Sequence, residues 1–127
     1  MDEAIEYWLK SSRDDLDTAK KLYGLKKYNH ALFFLHLALE KIIKGVYVAK
    51  KNEAPPLVHD LVRLSEKAEI ETSETEKQEL AEISTFNIAA RYDDYKLKFY
   101  KKATKEYSDL WIKKGEKILN KFKELLK

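Results

Sequence analysis

The 127-residue chain contains no cysteine, two prolines and three glycines. The absence of cysteine excludes disulfide bonds, thiolate catalysis and cysteine-ligated zinc. The three histidines are scattered along the chain, so the sequence predicts neither a metal site nor a cofactor. Because glycine and proline are scarce and turn signals do not recur at strand spacing, the sequence favours helices over strands.

Long apolar runs are also lacking, and none approaches the roughly 18 residues that a membrane-spanning helix needs. The chain begins Met1-Asp2-Glu3, which is acidic, whereas a signal peptide begins with basic and apolar residues. We therefore expect a cytoplasmic protein without membrane contact. Charged and hydrophobic residues make up 37% and 44% of the chain, as one folded domain over residues 1–127 requires. The chain has 22 lysines and 14 glutamates but only one glutamine and one methionine, a composition that favours a heat-adapted source.

Periodic apolar residues predict five helices. The second is apolar around most of its circumference, so it should be the central one. Gly24 should end the first helix, and a capping box that starts at Ser73 or Thr75 should begin the fourth. Short connections indicate antiparallel neighbours, and the sequence predicts an all-α, antiparallel four- to five-helix up-and-down bundle. The predicted helices cover about Glu3–Tyr23, Tyr28–Lys50, Val58–Ala68, Thr75–Arg91 and Thr104–Leu126.

Three polar residues, His36, Glu40 and Lys44, are spaced four apart in the second helix, so they lie along one side of it. Glu40 can accept hydrogen bonds from both neighbours, which is the arrangement that a phosphate-facing or acid–base site needs. The same spacing also fits an ordinary Glu–Lys pair beside a half-buried histidine. The other two histidines, His30 and His59, are near helix starts, and we assign both to local hydrogen bonding.

Positive charge is concentrated near the end of the chain. Residues 96–127 hold 11 lysines against four acidic residues, whereas residues 1–95 hold 14 basic and 18 acidic residues. This basic region is either an electrostatic surface for phosphates or RNA, or a solvated helix exterior. Aromatic residues interleaved with the lysines either stack bases or cover an edge of the core or a subunit contact; they are Tyr92, Tyr95, Phe99 and Tyr100.

Several short motifs follow one another in a specific order. They are Trp8 with Ser11–Ala19, Tyr28–Lys41 with Lys44-Gly45, Pro55-Pro56, His59-Asp60-Leu61, and Asn87 with Ala90–Asp93. Over roughly residues 7–94, their order and spacing resemble the HEPN domain, a small helical bundle of prokaryotes and higher eukaryotes. The resemblance implies a bundle that pairs into a homodimer and is linked to nucleotides or RNA. Many members of the family look like partners of a separate minimal nucleotidyltransferase in toxin–antitoxin pairs.

The chain also departs from the family. Ribonucleases of the family carry an Arg followed after four to six residues by a His, whereas no His follows Arg91. The usual Gln after the helix-two His is Leu37, and the Pro of the family's Arg-Tyr-Pro-Asp is Asp93. Val58 replaces a hydroxyl residue, which should remove the cap of the third helix. The sequence therefore leans toward a protein that is not an enzyme.

Combined with the resemblance, polar residues of the second and fourth helices can line one cleft. Arg91 would grip a phosphate through its guanidinium, while Asn87 would orient a neighbour and Lys44 would add charge. The whole predicted site is His36, Glu40, Lys44, Asn87, Arg91, Tyr92 and Asp93.

Several interpretations of these residues stay open. One is a buried polar network without a ligand. Another is a non-catalytic nucleotide- or RNA-binding module that is the partner of a minimal nucleotidyltransferase in a toxin–antitoxin-type pair. The remaining two are a metal-independent ribonuclease that transfers protons through His36, and a purely scaffolding homodimer.

Overall fold

A computed structural model describes residues 2–87 and 93–127 of the chain. The described residues form helices and connections without a strand, which confirms the predicted all-α bundle. Within them, no helix combines the length and the apolar character that crossing a membrane demands. The helices are α1 (Glu3–Gly24), α2 (Tyr28–Lys51), α3 (Leu61–Lys67), α4 (Glu74–Ser84), α5 (Asp93–Lys102) and α6 (Lys105–Glu124).

Helices α1 and α2 form an antiparallel hairpin. The Ser12 hydroxyl donates to the carbonyl oxygen of Ala38 at 2.7 Å, near the middle of both helices. Tyr23 and Tyr28 meet at the closed end, with ring centroids 5.6 Å apart. As predicted, α1 ends at Gly24, but the left-handed residue of the turn is Lys26, with φ of 62°. The three-residue connection therefore reverses the chain without a left-handed glycine.

Helix α2 is the central helix, as its sequence predicts. Leu32, Leu35, Leu39 and Ile42 are fully buried, because α1, α6 and the shorter helices cover α2 from different sides. Helix α6 lies close to α2 because Gly115, which has no side chain, faces Leu35. This packing fixes the backbone that carries the polar residues of α2.

The third helix begins later than the sequence predicts. It starts at Leu61 rather than near Val58, and Asp60 is its N-cap residue. The Asp60 carboxylate accepts hydrogen bonds from the backbone N–H groups of Val62 and Arg63, at 3.0 and 3.2 Å. The expectation that α3 loses its cap was wrong, because a carboxylate two residues after Val58 satisfies the same donors.

The fourth helix begins at a capping box formed by Ser73 and Glu76, so Ser73 and not Thr75 is the N-cap residue. It ends at Ser84, and Asn87 therefore follows the helix instead of lying on its inner face. The predicted extension to Arg91 falls partly on residues 88–92, which lie outside the described residues.

The C-terminal part of the chain contains a helix that the sequence did not predict. Helix α5 is anchored by Phe99, its one buried residue in the described structure. At the end of α6, Leu125 is 48% exposed, although it continues the four-and-three spacing of the buried residues Ile118 and Phe122. Because α6 ends at Glu124, the helical spacing no longer applies, and Leu126 packs against the core instead.

The close approach of α6 to α2 can be tested with Gly115→Ala. A Cβ at position 115 would lie 2.7 Å from Cδ1 and 2.8 Å from Cδ2 of the fully buried Leu35. Either the Leu35 side chain would have to leave its rotamer or the two helices would have to separate, so we expect the free energy of unfolding to fall by about 1–3 kcal/mol. Urea denaturation measures the change.

The control is Gly24→Ala, because nothing lies within 4 Å of a Cβ at that position. Alanine favours a helix over glycine by up to about 1 kcal/mol, so this variant should be as stable as the parent or slightly more stable. A Gly115→Ala protein with the stability of the parent would contradict the packing described for α2 and α6.

Candidate functional site

Four side chains meet where α2 faces the segment that precedes α3. Lys44 Nζ donates to Glu40 Oε2 at 2.9 Å, and the Glu40 Oε1 atom lies 2.9 Å from His59 Nδ1. His36 Nε2 lies 3.1 Å from the carbonyl oxygen of His59 and 3.8 Å from Glu40 Oε1. We call His36, Glu40, Lys44 and His59 the α2 cluster. The three members that the sequence predicted do come together.

The members of the cluster differ sharply in their access to solvent. The His36 side chain is fully buried, and those of Glu40 and Lys44 are each 8% exposed. The His59 side chain is 61% exposed. A ligand that approaches this surface therefore meets the ring of His59, whereas His36 lies behind it.

Sequence reasoning missed the role of His59, and its assignment to local hydrogen bonding was wrong. Its contacts reach Glu40 and His36, 19 and 23 residues earlier in the chain. The Pro55-Pro56 pair restricts the backbone conformation of the connection, but the direction of this connection depends on how α3 packs against α2. One sequence signal could have pointed to His59: it directly precedes Asp60, the N-cap residue of α3. The start of that helix packs beside the polar residues of α2.

Burial and hydrogen bonding set the charge states in the cluster. Burial raises the pKa of Glu40, but hydrogen bonds with His59 and Lys44 outweigh it, so the pKa lies below its ordinary value. Glu40 is therefore ionised. Burial lowers the pKa of His36, which keeps its ring neutral. With Nε2–H donating to the carbonyl oxygen of His59, the Nδ1 atom of His36 is buried without a hydrogen-bond partner in the described structure.

Lys44 is also held from α1. Its Nζ atom lies 5.6 Å from the ring centroid of Trp8, a cation–π contact. Lys41, one residue after Glu40, forms a 2.7 Å ion pair with Asp15 of α1. Both lysines of this stretch are thus engaged by neighbouring side chains.

The rest of the predicted site is less connected to the cluster. Asn87 is half-buried, and its backbone N–H donates to the carbonyl oxygen of Ser84. The Asp93 side chain is exposed at the start of α5, with its nearest described cation, Lys96, at 4.0 Å. Arg91 and Tyr92 lie outside the described residues. Their part in the site stays a prediction.

The end of α4 nevertheless lies close to the cluster. The hydroxyl oxygen of Ser84, the last residue of α4, accepts a 2.8 Å hydrogen bond from the backbone N–H of Leu61. Leu61 is two residues after His59. Helix α4 therefore ends beside the segment that carries the exposed histidine.

The basic region at the end of the chain is partly neutralised. Three glutamates of α4 form ion pairs with lysines of α5 and α6: Glu82 with Lys102, Glu79 with Lys114, and Glu76 with Lys121. Of the interleaved aromatic residues in the described chain, Phe99 is buried and Tyr95 is half-buried, with its hydroxyl donating to the carbonyl oxygen of Thr85. Tyr100 is 62% exposed. These contacts favour a mainly structural role for the basic region.

The HEPN domain family model matches residues 5–125, which is nearly the whole chain. The chain belongs to the HEPN domain family. This HEPN domain is also similar in structure to TT1696 from Thermus thermophilus, with a TM-score of 0.82 and 22% sequence identity, over 98% of this chain and 99% of that one. No curated protein matches it. At this level of identity the likeness shows a shared fold.

The buried His36 should make this HEPN domain less stable in mild acid. Its pKa is lowered in the folded protein, so below pH 6.5, the ordinary value, the unfolded chain binds a proton that the folded chain excludes. The contribution to stability is complete above that pH and decreases as the pH falls toward the lowered pKa. The lowered pKa of Glu40 acts in the same direction below its ordinary value of 4.5.

We expect the free energy of unfolding in urea to fall between about pH 7 and about pH 5, by up to about 1.4 kcal/mol per pH unit from His36. His36→Gln, whose amide can still donate to the carbonyl oxygen of His59, should show a smaller fall. His30→Gln is the control, because His30 is exposed. An unchanged pH dependence in His36→Gln would refute this account.

Proposed function

We propose that this HEPN protein is a non-catalytic module that binds a nucleotide or RNA at the surface of the α2 cluster. The observation that carries the proposal is the exposed ring of His59, which is held in place by a buried, ionised Glu40. A fixed polar group above a buried ion pair is suited to recognising a charged ligand. We retain Arg91 as the predicted second phosphate contact, from the segment that follows α4.

The arrangement supports binding more than catalysis. Cleavage of RNA requires a base that accepts the proton of the attacking hydroxyl and an acid that protonates the leaving oxygen. His36 was the predicted proton-transfer residue, but its ring is buried and its Nε2 atom faces a backbone carbonyl. Glu40 is engaged through both carboxylate oxygens.

The ribonuclease alternative therefore depends on His59 instead of His36. Its contact with Glu40 is the pairing that orients a histidine base in many enzymes. We expect the purified protein not to cleave short RNAs, because His36, the other histidine of the α2 cluster, is buried and cannot reach the substrate as a second proton-transfer group. Cleavage by the parent that is lost in His59→Gln and kept in His36→Gln would establish the ribonuclease and contradict the non-catalytic proposal.

Nucleotide or RNA binding can be measured without assuming a site. A ligand that binds the native state raises the melting temperature, by an amount that grows with its concentration. We expect such a rise with nucleotides or short RNAs. If no nucleotide and no RNA changes the melting temperature, the purely scaffolding dimer becomes the better description.

We further propose that the protein is a homodimer that pairs through the side of α2 next to the cluster. Phe33 and Leu37 lie one turn apart on α2, and both are half-buried. In the described chain, Phe34 packs against the core, whereas Phe33 and Leu37 do not join it. A second copy could cover this surface.

Leu37→Glu should convert the dimer into a monomer, because a carboxylate would be buried against the apolar surface of the second copy. Sedimentation velocity at micromolar concentration measures the mass. Leu110→Glu is the matched control: Leu110 is 48% exposed on α6, away from this surface, and its substitution should leave the dimer intact. A parent protein that sediments as a monomer would end the dimer proposal.

The proposed partner is a minimal nucleotidyltransferase in a toxin–antitoxin-type pair. This part rests on the family and not on a described contact. A gene for a minimal nucleotidyltransferase beside the gene for this protein would support it, and copurification of the two products would test it directly. If the neighbouring protein does not bind, the module acts without that partner.

A further inference from the structure

Within residues 2–87 and 93–127, the ring of His59 has a hydrogen-bond partner at one nitrogen and none at the other. Its Nδ1 atom lies 2.9 Å from the buried carboxylate of Glu40, and its backbone carbonyl oxygen accepts from His36. The side chain is nevertheless 61% exposed, so the free edge of the ring, which carries Nε2, faces solvent. The Nδ1 atom and the backbone carbonyl oxygen of His59 are both bound to residues of α2, so the position of the ring is fixed.

The partner at Nδ1 determines what Nε2 can do. An ionised carboxylate only accepts hydrogen bonds, so Nδ1 carries a hydrogen. In the neutral ring, Nε2 then has a lone pair that points outward. In the protonated ring, Nε2–H becomes an outward donor that carries positive charge.

The net charge of the cluster depends on this one proton. Glu40 and Lys44 cancel each other, and His36 is neutral, so the cluster is neutral when His59 is neutral and has a charge of about +1 when His59 is protonated. Of the neighbouring charges in the described chain, those of Lys41 and Asp15 cancel each other, whereas the Asp60 carboxylate adds one negative charge next to His59. Lys41 is paired with Asp15, and the Asp60 carboxylate accepts from two backbone N–H groups of α3.

We propose that protonated His59 holds a phosphate group of the ligand by donating Nε2–H to a phosphate oxygen, so that ligand binding takes up a proton. The proposal rests on the proposed function and deepens it by naming the ligand group and the residue that recognises it. Glu40 is a positioning residue here: it fixes the ring and keeps Nδ1–H directed inward.

The test compares binding at about pH 6 and about pH 8, because histidine is the side-chain type whose charge changes between about pH 5 and pH 8. The first probe is the dinucleoside monophosphate ApA, because a phosphodiester keeps one negative charge at both pH values. The second is AMP, a phosphate monoester that itself gains a proton toward about pH 6, so only the pH dependence that His59→Gln removes is assigned to the histidine. We expect at least one of the two to bind about tenfold more tightly at the lower pH, as a charge-assisted hydrogen bond requires.

Two variants and one control make the test specific. His59→Gln and His59→Phe should both lose the pH dependence and bind weakly at either pH, and His59→Phe also shows whether the ring acts only by stacking on a base. His30→Gln should behave as the parent, since His30 is an exposed histidine outside the cluster. In proton NMR spectra of the parent, the ligand should shift the His59 ring signals and leave those of His30 unchanged.

The possible failures are distinguishable. If ApA or AMP binds equally well to the parent, His59→Gln and His59→Phe, the phosphate contact is not His59, while the binding module stands. Binding that His59→Phe retains and His59→Gln loses would show stacking and overturn the proton-coupled contact. If neither probe nor a short RNA binds at either pH, both the contact and the proposed function are wrong.

Discussion

The carboxylate of Glu40 joins the central helix to the segment that follows it. One oxygen binds Lys44 on the same helix, and the other binds His59, which lies beyond the end of α2. A buried carboxylate without such partners would be strongly unfavourable, because removing one partner of a buried ion pair typically costs about 3–5 kcal/mol. The charge of Glu40 thus requires both contacts, and the contacts fix the direction in which the chain leaves α2.

The surrounding packing makes this arrangement possible. Helix α2 is covered by α1 along its length and by α6 at the position of Gly115, so its backbone cannot shift to relieve an unpaired charge. His36 adds a second connection between α2 and the same segment, through the carbonyl oxygen of His59. The result is a rigid interior below one exposed ring, that of His59.

Charge in the rest of the molecule is used differently. Three of the eleven lysines of residues 96–127 form ion pairs with glutamates of α4, and these pairs lie near the surface, where each contributes little to stability. They do reduce the positive potential that the sequence alone suggested. The α2 cluster has fewer charges than the basic region at the end of the chain, but one of them is the buried carboxylate of Glu40. The cluster is therefore a more specific feature of this HEPN domain than the basic region.

The sequence by itself determined the helices of the described chain that have strong apolar periodicity, the central position of α2, and the meeting of His36, Glu40 and Lys44, because spacing within one helix fixes which side chains are neighbours. Membership of the HEPN family followed from the order of its motifs.

Only the tertiary structure decided that His59 completes the cluster, that His36 is inaccessible, that Asp60 caps α3, and that Leu126 rather than Leu125 packs against the core. Each of these four findings depends on the direction that the chain takes after a helix ends. Packing between distant segments sets that direction, and the spacing of residues within one helix carries no information about it.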